Sequence, residues 1–92
     1  MKLFSNLEKE FLEDKELQYL YKIDRVLESL STKITNKRIE LKLTQKELAD
    51  KSGITQQQLS KIELAENCNI KTFIKVLIAL DLDIDLIKKS NI

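Results

Sequence analysis

The sequence predicts an all-α protein, a bundle of about five helices with an N-terminal helical extension and a short C-terminal β-strand. Three observations carry this reading. The 92 residues hold no proline and one glycine, against average usage of about 5% and 7%, so helices joined by short turns are expected. Apolar residues recur at spacings of three, four and seven along most of the chain, the period of a helix with one buried face. Near the C terminus that period changes to two. With 42% hydrophobic and 34% charged residues, the chain has enough apolar content for one small globular core and too much for disorder.

The elements follow in order. Ser5 stands three residues before Glu8, and Asp14 precedes Leu17, Leu20, Tyr21, Leu27 and Leu30; both read as helix starts, giving one short and one longer amphipathic helix by residue 30. Ile34, Arg38 and Leu41 extend the spacing to about Lys42, while Ser31, Thr32 and Thr35 are weak helix formers that predict a bend or break. Thr44 with Glu47, and Thr55 with Gln58, form two capping-box patterns eleven residues apart. Between them Gln45 to Ser52 makes two turns with Leu48 and Ala49 inward. Gly53, the only glycine, falls where helices close in a left-handed residue.

Gln56 to about Leu64 gives a second short helix with Leu59 and Ile62 on its apolar side. After the polar loop Glu66-Asn67-Cys68-Asn69, the residues Ile70, Phe73, Ile74, Leu77, Ile78 and Leu80 form the broad stripe of a core helix. Leu80, Leu82, Ile84 and Leu86 then alternate with Asp81, Asp83 and Asp85, a strand pattern. Leu82, Ile84 and Leu86 are expected to pair with another copy of the chain and build a dimer. The chain divides accordingly into a helical extension over 1–32, a central unit over 33–80, and a strand and tail over 81–92.

Histidine is absent and Cys68 is the only cysteine. Disulfide frameworks, thiolate–histidine zinc sites and histidine-based nucleophilic catalysis lack their parts, so neither an enzyme nor a cofactor or metal is expected. Asp81, Asp83 and Asp85 sit on one exposed strand face with no loop to fold round a cation. The first residues reach acidic side chains before any signal-length apolar run, and no stretch approaches the ~18 apolar residues of a membrane span; a cytoplasmic location without membrane contact is expected. The net charge of +1 hides an uneven distribution. Residues 1–30 carry five basic and seven acidic side chains, residues 31–63 seven and four, and residues 64–92 four of each. The basic part is the middle, where a net of +3 fits a solvated helix surface as often as a phosphate footprint, so charge alone does not decide between them.

A capped helix, a glycine turn and a second capped helix together have the form of a helix-turn-helix. Residues 44–63, TQKELADKSGITQQQLSKIE, resemble the Xre family of lambda-repressor-like DNA-binding domains, sharing Thr44-Gln45, Leu48-Ala49, Gly53, Thr55 and Ile62-Glu63 at the family's spacing. Flanking helices extend the likeness over 33–80. The resemblance implies that Gln45 meets a backbone phosphate, and that Thr55, Gln56, Gln57 and Lys61 face bases and phosphates. Ser60 shares the outward arc of the same helix. It also implies a buried Arg38–Glu63 salt bridge and a core containing Leu48, Ala49, Ile54, Leu59 and Ile62. Two positions depart from the family. Leu64-Ala65-Glu66 replaces the usual x-Gly and the basic residues after it, and Lys42 replaces a helix-ending glycine.

The flanks narrow the likeness. A helical lead-in from Asp14 and an alternating segment after the last helix make the layout similar to HigA-type antitoxins. This implies a repressor that binds double-stranded operator DNA as a homodimer, autoregulates its operon, and neutralises a ribosome-dependent ribonuclease toxin of HigB type. Leu17, Leu20 and Tyr21, on the amphipathic and acidic first segment, are expected to touch that toxin. A stand-alone Xre-type repressor of phage or chromosomal origin and a toxin-inhibiting interaction module with little DNA binding are the alternatives.

Overall fold

The computed structural model describes residues 14–88. Within them lie four helices, α1 (Lys15–Glu40), α2 (Gln45–Ser52), α3 (Gln56–Glu63) and α4 (Ile70–Ala79). The short helix read from Ser5 lies outside the described residues.

Asp14 caps α1 from extended backbone, its carboxylate accepting from the Glu16 and Leu17 N–H groups at 2.9 and 3.1 Å. The helix then runs through Ser31, Thr32 and Thr35 without the expected break, so the boundary drawn at residue 32 falls inside one continuous element. Tertiary anchoring explains this. Ser31 is buried and its hydroxyl donates to the Glu28 carbonyl at 3.0 Å. Ile34 is buried in the core, and Thr35 bonds to α3. Propensity differences of a few tenths of a kcal/mol per residue are small beside such contacts.

Every helix contributes to the core: Ile34 from α1, Leu48 and Ala49 from α2, Leu59 and Ile62 from α3, Phe73, Val76 and Leu77 from α4, with Leu80 at its end. Only the part of α1 from Leu30 onward packs on this core. Its outer half leaves Leu17, Tyr19, Leu20, Ile23 and Val26 exposed, which makes α1 a long helix overhanging a compact four-helix unit.

All four helices end in the same backbone motif. A left-handed residue, Lys42, Gly53, Ala65 or Asp81, donates its N–H to the carbonyl three residues back. The next residue donates to the carbonyl five residues back, as in Leu43 to Arg38 (3.1 Å), Ile54 to Ala49 (3.1 Å), Glu66 to Lys61 (2.9 Å) and Leu82 to Leu77 (2.8 Å). These are Schellman closures, which satisfy the last carbonyls of each helix. Leu43, Ile54 and Leu82 follow the turn and pack against the core.

That motif overturns the expected C-terminal strand. Leu80 and Leu82 share a period of two because they straddle the end of α4, one capping the helix and the other folding back after the Asp81 turn. Among the described residues there is no strand, and 82–88 form no regular element. Leu82 is half-buried, whereas Ile84 is 50% and Leu86 94% exposed, so the three do not form one buried or pairing face.

Three of the four left-handed positions are not glycine, and an L side chain there is strained by roughly 1–2 kcal/mol. Lys42→Gly should therefore stabilise the protein by about 1 kcal/mol and raise Tm by ~4 °C or more in thermal unfolding. An unchanged or lower Tm would show that the Lys42 turn is unstrained.

Candidate nucleic-acid interface

The surface is set by how α2 and α3 begin. At α2 the Thr44 hydroxyl accepts from the Glu47 N–H at 3.1 Å and the Glu47 carboxylate accepts from the Thr44 N–H at 3.0 Å. That backbone bond, aided by the threonine side chain, holds the Glu47 carboxyl below its usual range. At α3 the Thr55 hydroxyl accepts from the Gln58 N–H at 3.0 Å and the Gln58 carbonyl oxygen accepts from the Thr55 N–H at 2.9 Å. Both reciprocal boxes form as the spacing predicts. Their chemistry differs. The first turn of α3 carries no acidic residue, so the positive end of its dipole is left uncompensated for an approaching anion.

The second box also divides the three glutamines. Gln58 is committed to the cap, which leaves Gln56 and Gln57 in the first turn with exposed side chains. Leu59 and Ile62 are buried, and the Glu63 side chain is turned inward at 6% exposure. At 100° per residue these three define the inner side of α3. Gln57 and Lys61, one turn apart, occupy the middle of the opposite arc, with Gln56 and Ser60 along one edge. Thr55 and Lys61 are exposed and Ser60 is half-buried. Gln45, half-buried, opens the first turn of α2. Helix α2 packs against both α3 and α4.

A buried charge cluster fixes where α3 points. Arg38 of α1 donates from Nε to Glu63 Oε2 and from Nη2 to Oε1, both at 2.9 Å. Its remaining nitrogen, Nη1, donates to the Leu43 carbonyl at 2.9 Å, and the Thr35 hydroxyl donates to Glu63 Oε1 at 3.2 Å. This planar fork on a carboxylate is a geometry only arginine supplies. The family resemblance implied the pair, but neither the residues nor the resemblance indicated Thr35 or the Leu43 carbonyl. A threonine three residues before an arginine shares its helix face, and that spacing is the signal that could have found it. Among the described residues no buried polar side-chain atom lacks a partner.

The same helix-turn-helix unit differs from its expected form at the end of α3. Ala65 takes the left-handed position and Glu66 follows it, so no cation extends the surface there. Cys68 in the next loop is half-buried, and burial pushes its thiol pKa up. Among the described residues no group of three or more His, Cys, Asp or Glu side chains could hold a metal ion, and no helix is long and apolar enough to cross a membrane.

The profile of the helix-turn-helix family matches residues 34–87. The chain belongs to this family. The match takes in α2, α3, α4 and the inner part of α1, and supports a DNA-binding regulator of Xre type. Residues 14–33, which include the overhanging part of α1, precede the matched span.

Removing one partner of the buried ion pair leaves the other charged and unmatched, which typically costs 3–5 kcal/mol. Glu63→Ala should lose about 3 kcal/mol or more in urea denaturation, and adding Arg38→Met to it should restore part of the loss. A loss below about 1 kcal/mol would show that the pair does not anchor α3.

Proposed function

We propose that the protein is a sequence-specific repressor that binds double-stranded operator DNA by laying α3 in the major groove. The observation that carries this reading is the outward arc of α3. Two glutamines free of the cap stand in its first turn, a lysine follows one turn on, and no carboxylate opposes them. A glutamine carboxamide can donate and accept at once, matching the N7 acceptor and N6 donor of adenine. Gln56 and Gln57 read bases. Lys61, Thr55 and Ser60 hold the flanking phosphates and sugars, and Gln45 meets a phosphate at the α2 terminus. Two half-sites read by two copies of the chain complete the operator.

Gln57→Ala should weaken operator binding about 5-fold to 150-fold and flatten the preference at one base pair per half-site, as expected for loss of ~1–3 kcal/mol of readout. Lys61→Ala should weaken binding to all sequences alike and reduce the salt slope by about 1. Binding-site selection with Gln57→Ala that returns the unaltered operator, with affinity falling equally on random DNA, would remove Gln57 from the readout.

A second reading adds toxin neutralisation to repression, as in HigA-type antitoxins acting on a ribosome-dependent ribonuclease. It is favoured by one observation: Leu17, Leu20 and Tyr21 are exposed on a part of α1 that lies outside the DNA-reading unit. A toxin encoded next to this chain should then co-purify with it and be released by Leu17→Glu or Leu20→Glu. Undiminished co-purification with both variants would reject this contact.

A further inference from the structure

Helix α1, the end of α3, the loop after it and the start of α4 do not close completely on one another. They leave an apolar groove of about 190 Å³, walled by Leu27, Leu30, Phe73 and Ile84. Close-packed interiors keep few voids larger than a water molecule. This one stays open because two residues that face it are small. Ser31 of α1 is buried with its hydroxyl bonded to its own helix, and Ala65 holds the left-handed closure of α3. A cavity of about 150 Å³ lined by Leu, Ile and Phe stays dry and takes up benzene. By that measure the groove fits an apolar body of about six to eight carbons and is too small for a helix or a strand.

Charge narrows the ligand. Glu66 is the one charged residue on the wall of the groove, and it is exposed, at the open side. Among the described residues its carboxylate has no ion-pair partner. We propose that the groove is a binding site for a small primary amine, with an alkyl or aryl body seated among Leu27, Leu30, Ile62 and Phe73 and its ammonium group on Glu66. An acid with the same body would bring a second negative charge to Glu66, and an alcohol would leave that carboxylate unpaired. The body supplies most of the affinity, because each buried methylene strengthens binding about fourfold, whereas an ion pair at an exposed carboxylate adds about fivefold at most.

The place of the groove gives the ligand a contact with the DNA-facing unit. Ile62 lines it and is followed by Glu63, so a bound amine touches the same end of α3 that Arg38 holds. None of Gln45, Thr55, Gln56, Gln57, Ser60 or Lys61 lines the groove, so the site stands apart from base reading.

The probe is n-hexylamine at neutral pH, titrated calorimetrically into the full chain without DNA. It should saturate with a Kd of about 1 mM or tighter and bind about 10-fold more tightly than n-butylamine, as two further buried methylenes require. The anion n-hexanoate should bind about 5-fold more weakly or worse, and Glu66→Gln should bring amine and acid to within about 2-fold of each other. Cys68 lines the same groove and serves as a reporter: saturating n-hexylamine should slow its modification by methyl methanethiosulfonate, read by intact mass, about 3-fold or more. Ile70 also lines the groove and is 65% exposed, so Ile70→Trp should cover the site and abolish binding with helical circular dichroism unchanged. No saturation by about 20 mM, n-hexanoate binding as tightly as n-hexylamine, Cys68 modified at its free rate, or undiminished binding to Ile70→Trp would each overturn the proposal.

Discussion

The orientation of α3 depends on one buried ion pair. Helix α3 has only two turns, too few to be stable alone, and its apolar anchors Leu59 and Ile62 fix its depth better than its angle. The Arg38–Glu63 fork adds direction, because two parallel hydrogen bonds to a planar guanidinium admit little rotation. The third arginine nitrogen reaches the Leu43 carbonyl, so the same side chain also holds the turn that leads into α2. One residue of α1 thereby positions both helices of the motif. Water is largely excluded, with the two side chains 15% and 6% exposed, which raises the penalty for breaking the pair.

Around this anchor the chain uses a single device for its ends. Reciprocal caps start α2 and α3, and Schellman turns close all four helices. With the orphan N–H and C=O groups met locally, short helices can be joined by three- to six-residue turns and still expose one face of α3 cleanly. Capping also separates the glutamines: it engages Gln58 and leaves Gln56 and Gln57 to face solvent. The left-handed turns also account for the apolar residues after them, since Leu43, Ile54 and Leu82 are folded back onto the core by the change in chain direction.

Helix α1 joins two surfaces of different character. Its part from Leu30 onward packs on the helix-turn-helix core, and its outer half leaves apolar residues in solvent. The two belong to one continuous helix of 26 residues, which also carries Arg38.

By itself the sequence determined what is local. Caps at Thr44 and Thr55, the Gly53 turn, the helical face of α4 and the inward positions Leu48, Ala49, Leu59 and Ile62 all follow from residues within one or two turns of one another. The Arg38–Glu63 pair, 25 positions apart, was legible only through resemblance to a family. Tertiary structure decided the rest. It carried α1 straight through Ser31, Thr32 and Thr35, because buried contacts outweigh small propensity differences. It also turned the alternation at Leu80 and Leu82 into the two sides of a helix end, because a period of two describes a strand only where the backbone stays extended, and the left-handed residue Asp81 reverses the chain between them.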